Sequence, residues 1–198
     1  MTDSFMVAAR IAVSRAGFEE WLDTAIPGVE VVGNPGAVFD GWFWDGKGAD
    51  SAWGRVETGV TPREFFRKRR EVGRGGLPMV TVLIHRDDAL HVYMFDLGYI
   101  ESDVFTAFLA LAGAGRFKTA DAPETALFWA ETSGGLCGAD WDGWLAALEV
   151  GRESARFVHG VNLGSTIEGL RVGESMFYEQ LERGLAGEER FDWETVTS

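Results

Sequence analysis

Two apolar runs separated by two residues constrain this chain more than any other feature. "PMVTVLIHR" (78–86) and "ALHVYMFDL" (89–97) are rich in β-branched and aromatic residues, with Asp87-Asp88 between them. Such runs read as neighbouring strands joined by a tight turn, which commits the chain to antiparallel pairing. Other stretches read as strands to be added to this pair. "FMVAARIAV" (5–13) and "TALFWAET" (125–132) have buried-strand character, "VEVV" (29–32) is a short strand, and "SARFVHGVNLG" (154–164) is an edge strand or hairpin. "AVFDGWFW" (37–44) and "SAWGRVETG" (51–59) are expected as a further hairpin. Their connection, "DGKGAD" (45–50), contains Asp-Gly, and glycine accepts the positive φ that such a turn needs.

Helices are marked by their caps and their period. Ser14 precedes "RAGFEEWLDTAI" (15–26), in which Phe18, Trp21, Leu22 and Ala25 share one face, and Pro27-Gly28 ends it. Thr61, Pro62 and Glu64 form a capping box ahead of a helix with Phe65, Phe66, Arg69 and Val72 on its buried stripe, and Gly73 suits its end. Ser102 is expected to cap a helix through "VFTAFLALAG" (104–113), stopped by Gly113 or Gly115. Asp140 is expected to cap a helix over "WDGWLAALEV" (141–150), with Trp141, Trp144, Leu145 and Leu148 on one face. "ESMFYEQLERGLAG" (174–187) reads as an acidic amphipathic helix.

"AGFEEWLDTA" (16–25) and "ADWDGWLAAL" (139–148) align without gaps, which reads as a duplicated strand–helix unit. The chain is therefore expected to be one α+β domain over residues 1–198, ending in a polar tail at 188–198. Its sheet should be mostly antiparallel and twisted, with about 6–8 strands and about five helices packed on it. At 198 residues and 46% hydrophobic composition it can bury a sizeable core without covalent staples.

Chemistry-bearing motifs are sparse. His85 and His91 lie on opposite arms of the first strand pair. An odd number of loop residues places them on one face and an even number on opposite faces. Even together they supply two ligands, where zinc takes three or four. Cys137, the single cysteine, excludes an internal disulfide and has no histidine near it in sequence. "VGRGGLP" (72–78) follows a helix and precedes a strand, the reverse of a phosphate-binding loop. Asp45 and Asp50 lack the twelve-residue ligand pattern of a calcium loop. Asp96, inside an apolar strand, is a candidate for function or partner contact. No metal and no cofactor are expected.

Charge is the strongest global signal. Thirty-one acids face 18 bases, a formal net charge of −13. Such a field repels nucleic acid and anionic membranes and attracts basic partners. The exception is 63–74, with six bases and two acids, so a basic helix is expected on an acidic body. The N-terminus has an early Asp3 and lacks a basic region ahead of a long apolar run, and no stretch reaches the about 18 apolar residues of a membrane helix. A cytoplasmic protein is expected, and its heavy use of Arg, Ala and Gly fits a GC-rich bacterial genome.

Eight tryptophans complete the picture. Trp21, Trp141 and Trp144 fit helix core faces and Trp129 a buried strand. Trp42, Trp44, Trp53 and Trp193 are the candidates for exposure, where tryptophan serves as a rigid anchor. With Asp40, Asp45, Asp50 and Asp96 they form the expected contact set for a basic protein partner. The leading expectation is a non-catalytic acidic binding protein that inhibits a basic partner by occlusion. This profile is similar in class to immunity proteins that neutralise a secreted bacterial toxin domain, and to phage-encoded inhibitors that mimic nucleic acid. The alternative is a small-molecule-binding or enzymatic α+β domain. Its pocket would be lined by Trp42, Trp44, Tyr93 and Phe95, with Asp96, His91 or Arg74 as polar groups.

Overall fold

A computed structural model describes residues 4–40, 53–71, 81–94, 101–131 and 144–186. Its centre is one antiparallel sheet of six strands in the order β2-β3-β1-β4-β5-β6. The strands are β1 (Ser4–Ala12), β2 (Thr81–Arg86), β3 (Ala89–Met94), β4 (Glu124–Glu131), β5 (Trp144–Val150) and β6 (Ala155–Val158). The helices are α1 (Arg15–Leu22), α2 (Pro62–Glu71), α3 (Glu101–Ala114) and α4 (Leu163–Leu185). The α+β class and the antiparallel sheet agree with the sequence reading, with slightly fewer helices than expected.

The period of two sorts the strand residues into two cores. Val7, Ala9, Ile11, Leu83, Leu90, Val92, Phe128, Leu148 and Phe157 face α1, α2 and α3. Met6, Ala8, Val82, Ile84, Tyr93, Leu127, Trp129 and Ala147 face α4, which contributes Ile167, Leu170 and Phe177. The sheet is thus covered on both sides, and even its edge strand β2 is buried from Thr81 through His85.

Local chemistry explains several elements. Ser14 Oγ accepts the Gly17 N–H at 3.1 Å and starts α1. At α2 the capping box closes both ways: the Thr61 N–H donates to Glu64 Oε2 at 2.8 Å and the Glu64 N–H to Thr61 Oγ1 at 3.2 Å. β2 and β3 turn through Asp87 and Asp88, both at positive φ, 50° and 51°. Two left-handed residues match the twist of a two-residue hairpin.

Four expectations are corrected. Residues 144–150 are a strand, although Ala and Leu dominate them. β5 is paired along both edges, with β4 and β6, and that pairing overrides helix propensity. The apparent duplicate of the α1 region is therefore a strand where α1 is a helix. "VEVV" forms a 3-10 turn, Val29–Val31, and contributes one parallel bridge, Val32 to Ala155. The expected arms of the tryptophan hairpin are not strands where they are described: Pro35–Phe39 is a 3-10 helix begun by its proline, and 53–59 is irregular. Finally, α4 begins eleven residues before 174. Asn162 caps it, its Oδ1 accepting the Ser165 N–H at 3.1 Å.

Glycine is required at one close approach. A Cβ on Gly115 would lie 2.0 Å from the Gly151 carbonyl oxygen. That contact lets the short 3-10 helix Gly115–Phe117 after α3 sit against the β5–β6 turn.

Candidate functional site

The strand registers define two rims of the sheet. At one rim lie Ser4, Thr81, Met94, Glu131 and Trp144, because Ser4 pairs with Glu131, Thr81 with Met94 and Trp129 with Trp144. Arg74, Asp96 and Cys137 lie outside the described residues.

Two of the expected contact residues, Asp40 and Trp53, flank residues 41–52, which lie outside the described residues. Asp40 ends the 3-10 helix Pro35–Phe39, and its exposed carboxylate lies 3.5 Å from Nε2 of His159, just past the end of β6. At Trp53 the structure corrects the sequence. Trp53 was expected to be exposed, but it is 7% accessible and packs into the core. Its ring stands edge-on to Phe105 at 4.5 Å and lies 6.2 Å from Phe157, and its Nε1 donates to the Pro35 carbonyl at 3.1 Å. The indole has an apolar body and one donor, and both are satisfied inside. Trp53 is thus a core residue and not a surface anchor. Trp42, Trp44, Asp45, Asp50, Asp96 and Trp193 lie outside the described residues.

The outer edge of β6 is closed by a residue that the sequence presented only as part of a turn. Asn34 donates from Nδ2 to the Phe157 carbonyl at 2.9 Å and accepts the Phe157 N–H on Oδ1 at 2.8 Å. The Gly33 N–H reaches the Ala155 carbonyl at 2.9 Å. One side-chain amide thereby replaces a neighbouring strand and blunts an edge that would otherwise recruit one.

The opposite rim is tied shut. The buried amine of Lys118 donates to the carbonyls of Ala122 and Val150 at 2.7 and 2.8 Å and lies 3.1 Å from Glu124 Oε2. Glu124 in turn accepts the Ala12 N–H at 2.9 Å. Every proton of this lysine has an acceptor, so it is a clamp.

Three bases of helix α2 are paired within the fold. Arg63 donates to Asp23 at 2.6 Å and reaches Glu19 at 3.4 Å, and Lys68 pairs with Glu57 at 2.8 Å. Arg69 binds Asp103 at the start of α3 and also Glu57. Arg63 holds the Asp23 carboxyl below the usual carboxylate range, whereas burial raises that of Asp103 against the pull of Arg69. These bases act as internal ties. Glu20, Asp88, Glu153, Glu168 and Glu182 are exposed, and among the described residues no base lies within 4 Å of them.

The histidines do not converge. The two-residue turn sends His85 and His91 to opposite faces, since His85 pairs with Leu90 and His91 with Ile84. His85 Nε2 meets the Val13 carbonyl at 2.8 Å. Among the described residues no group of three or more His, Cys, Asp or Glu side chains is placed to hold a metal ion. His91 and Tyr93, two residues of the alternative pocket, are sealed beneath α4, with Tyr93 4.8 Å from Phe177. Among the described residues no helix is long and apolar enough to cross a membrane. Comparison with protein-family models, with curated proteins and with solved structures gave no match to this chain.

Proposed function

We propose that this chain is an acidic, non-catalytic binding protein that inhibits a basic protein by occlusion, in the manner of bacterial toxin immunity. What supports the reading is the disposition of charge. Arg63, Lys68 and Arg69 of α2 are turned onto Glu19, Asp23, Glu57 and Asp103, and the chain keeps an acidic excess of −13 to steer a partner. A field of this sign steers a cationic partner, and aromatic contacts then slow its release. The contact set is Asp40, Trp42, Trp44, Asp45, Asp50, Asp96 and Trp193, without the core residue Trp53. A secreted toxin domain of basic character fits such a surface, and the bacterial cytoplasm is the setting in which it would be met.

The test is capture on the immobilised chain from lysate of its own host, supplemented with the products of neighbouring genes. The reading expects one basic protein retained at one-to-one stoichiometry, bound faster at low salt than at high salt, and inactivated when the chain is added. Recovery of no basic protein under any of these conditions would overturn it.

A further inference from the structure

We propose that α4 is a detachable strap, a helix that opens from its face of the sheet while the rest of the fold stays intact, with His91 as the group that sets the opening. Three observations converge on it.

The first is the glycine content of α4. The helix carries Gly164, Gly169, Gly173 and Gly184, and each glycine in a helix interior costs about 1 kcal/mol relative to alanine. The fold does not demand the two central ones. A Cβ on Gly169 would meet nothing within 4 Å, and one on Gly173 would make ordinary contacts of 3.7–3.9 Å with Tyr93, Val92 and His91. The helix is thus weaker than its packing requires.

The second is what it covers. His91 is 2% exposed and neither ring nitrogen makes a hydrogen bond of normal geometry, although the Arg86 backbone lies near enough to favour the charged ring. A buried polar group so placed favours any state that wets it. Opening α4 lets water reach both nitrogens. It also bares Ile84, Tyr93 and Trp129, so their packing against Ile167, Leu170 and Phe177 opposes opening, while the imidazole favours it.

The third is the charge around that ring. Arg10 is its register partner on β1, Arg86 and Asp87 lie at the end of β2 and in the turn, Tyr93 follows on β3, and Arg171 and Glu174 flank Gly173 on α4. Arg171 is engaged with Glu174 at 2.5 Å, and Arg10 with Glu124 at 3.4 Å. Burial first, then Arg10 and Arg86, oppose a positive charge on the ring and outweigh Asp87, so a proton on His91 favours the open strap.

Hydrogen exchange of the full chain, resolved by peptide mass spectrometry, tests this. The amides of α4 should exchange through openings that leave α3 protected. Gly169→Ala should slow exchange in α4 about fivefold and leave α3 unchanged, the value of one helix glycine. Corrected for intrinsic rates, opening of α4 should rise about twentyfold from pH 7 to pH 5. That follows if the open-state imidazole titrates at its ordinary value of 6.5 and the closed one at about 4. His91→Leu should remove that response; if it does not fold, His91→Gln serves as the polar, non-titrating substitute. Equal slowing of α3 and α4 by Gly169→Ala would overturn the strap. An undiminished pH response in the His91 variant would overturn its trigger.

Discussion

The two faces of the sheet are covered by helices held in different ways. α3 is buried nearly all round and is tied by polar bonds as well as packing. The Trp21 indole donates to the Ala110 carbonyl at 2.9 Å, the Glu57 N–H donates to Thr106 Oγ1 at 3.0 Å, and Arg69 binds Asp103. α4 holds its face by Ile167, Leu170 and Phe177 and lies over an imidazole that makes no hydrogen bond of normal geometry. The lesson is that equal burial does not mean equal hold. Polar ties fix α3 in one position, whereas the opening proposed for α4 rests on its spare glycines and on the buried imidazole beneath it.

The largest way to break this contrast is Asp103→Ala. It leaves the buried Arg69 guanidinium with the longer, 3.3 Å contact to Glu57 in place of its buried carboxylate and should cost about 3 kcal/mol of global stability, read as a lower urea midpoint. Replacing both partners with apolar residues of similar size should recover most of the loss. A small effect of Asp103→Ala would mean that the tie contributes little.

The next effect is a pH dependence that belongs to the other face. The folded chain keeps His91 neutral down to about pH 4, chiefly because burial disfavours its charged form, with Arg10 adding to the effect. Unfolded, the ring takes up a proton near 6.5. Between those values the open or unfolded chain binds more protons. Stability is therefore complete above 6.5 and is lost as pH falls toward 4, by about 3 kcal/mol in all. Urea titrations of the parent and His91→Leu over this range should diverge as pH falls.

A smaller loss is expected on the α3 side from Gly115→Ala. The added methyl meets the Gly151 carbonyl, and the backbone must shift, at about 1–3 kcal/mol. Thermal unfolding would report it, and an unchanged midpoint would show that the 3-10 turn yields. The smallest is Thr61→Ala, which removes one arm of the α2 capping box and should cost about 1 kcal/mol. The loss should appear in α2 and α3 together, since Arg69 couples them.

Much of the tied face could be read in the sequence, because short-range signals define it. Ser14, Thr61 with Glu64, and the two-residue turn at Asp87-Asp88 each fix a boundary by local hydrogen bonding or φ. Phe65, Phe66 and Trp21 kept their helical period and are core. β5 was misread because Ala and Leu recur at both periods in "WLAALEV", and only pairing on two edges decides between them. The first half of α4 was hidden by Gly164, Gly169 and Gly173, which depress helix propensity where packing supplies the helix. For the candidate site, the acidic excess is legible from composition alone. Trp53 was misplaced because burial depends on Phe105 and Phe157, 52 and 104 residues away in the chain. Asn34 gave no signal, since its role exists only once β6 lies beside it.

The contrast between the faces is tested most directly by native-state hydrogen exchange of the unmodified chain across a series of low urea concentrations. The slowest α3 amides should follow the global unfolding line. The α4 amides should exchange through a smaller, nearly urea-independent opening that joins that line only near the transition. If α3 and α4 amides fall on one line from zero urea upward, the two faces open together and α4 is not a separate unit.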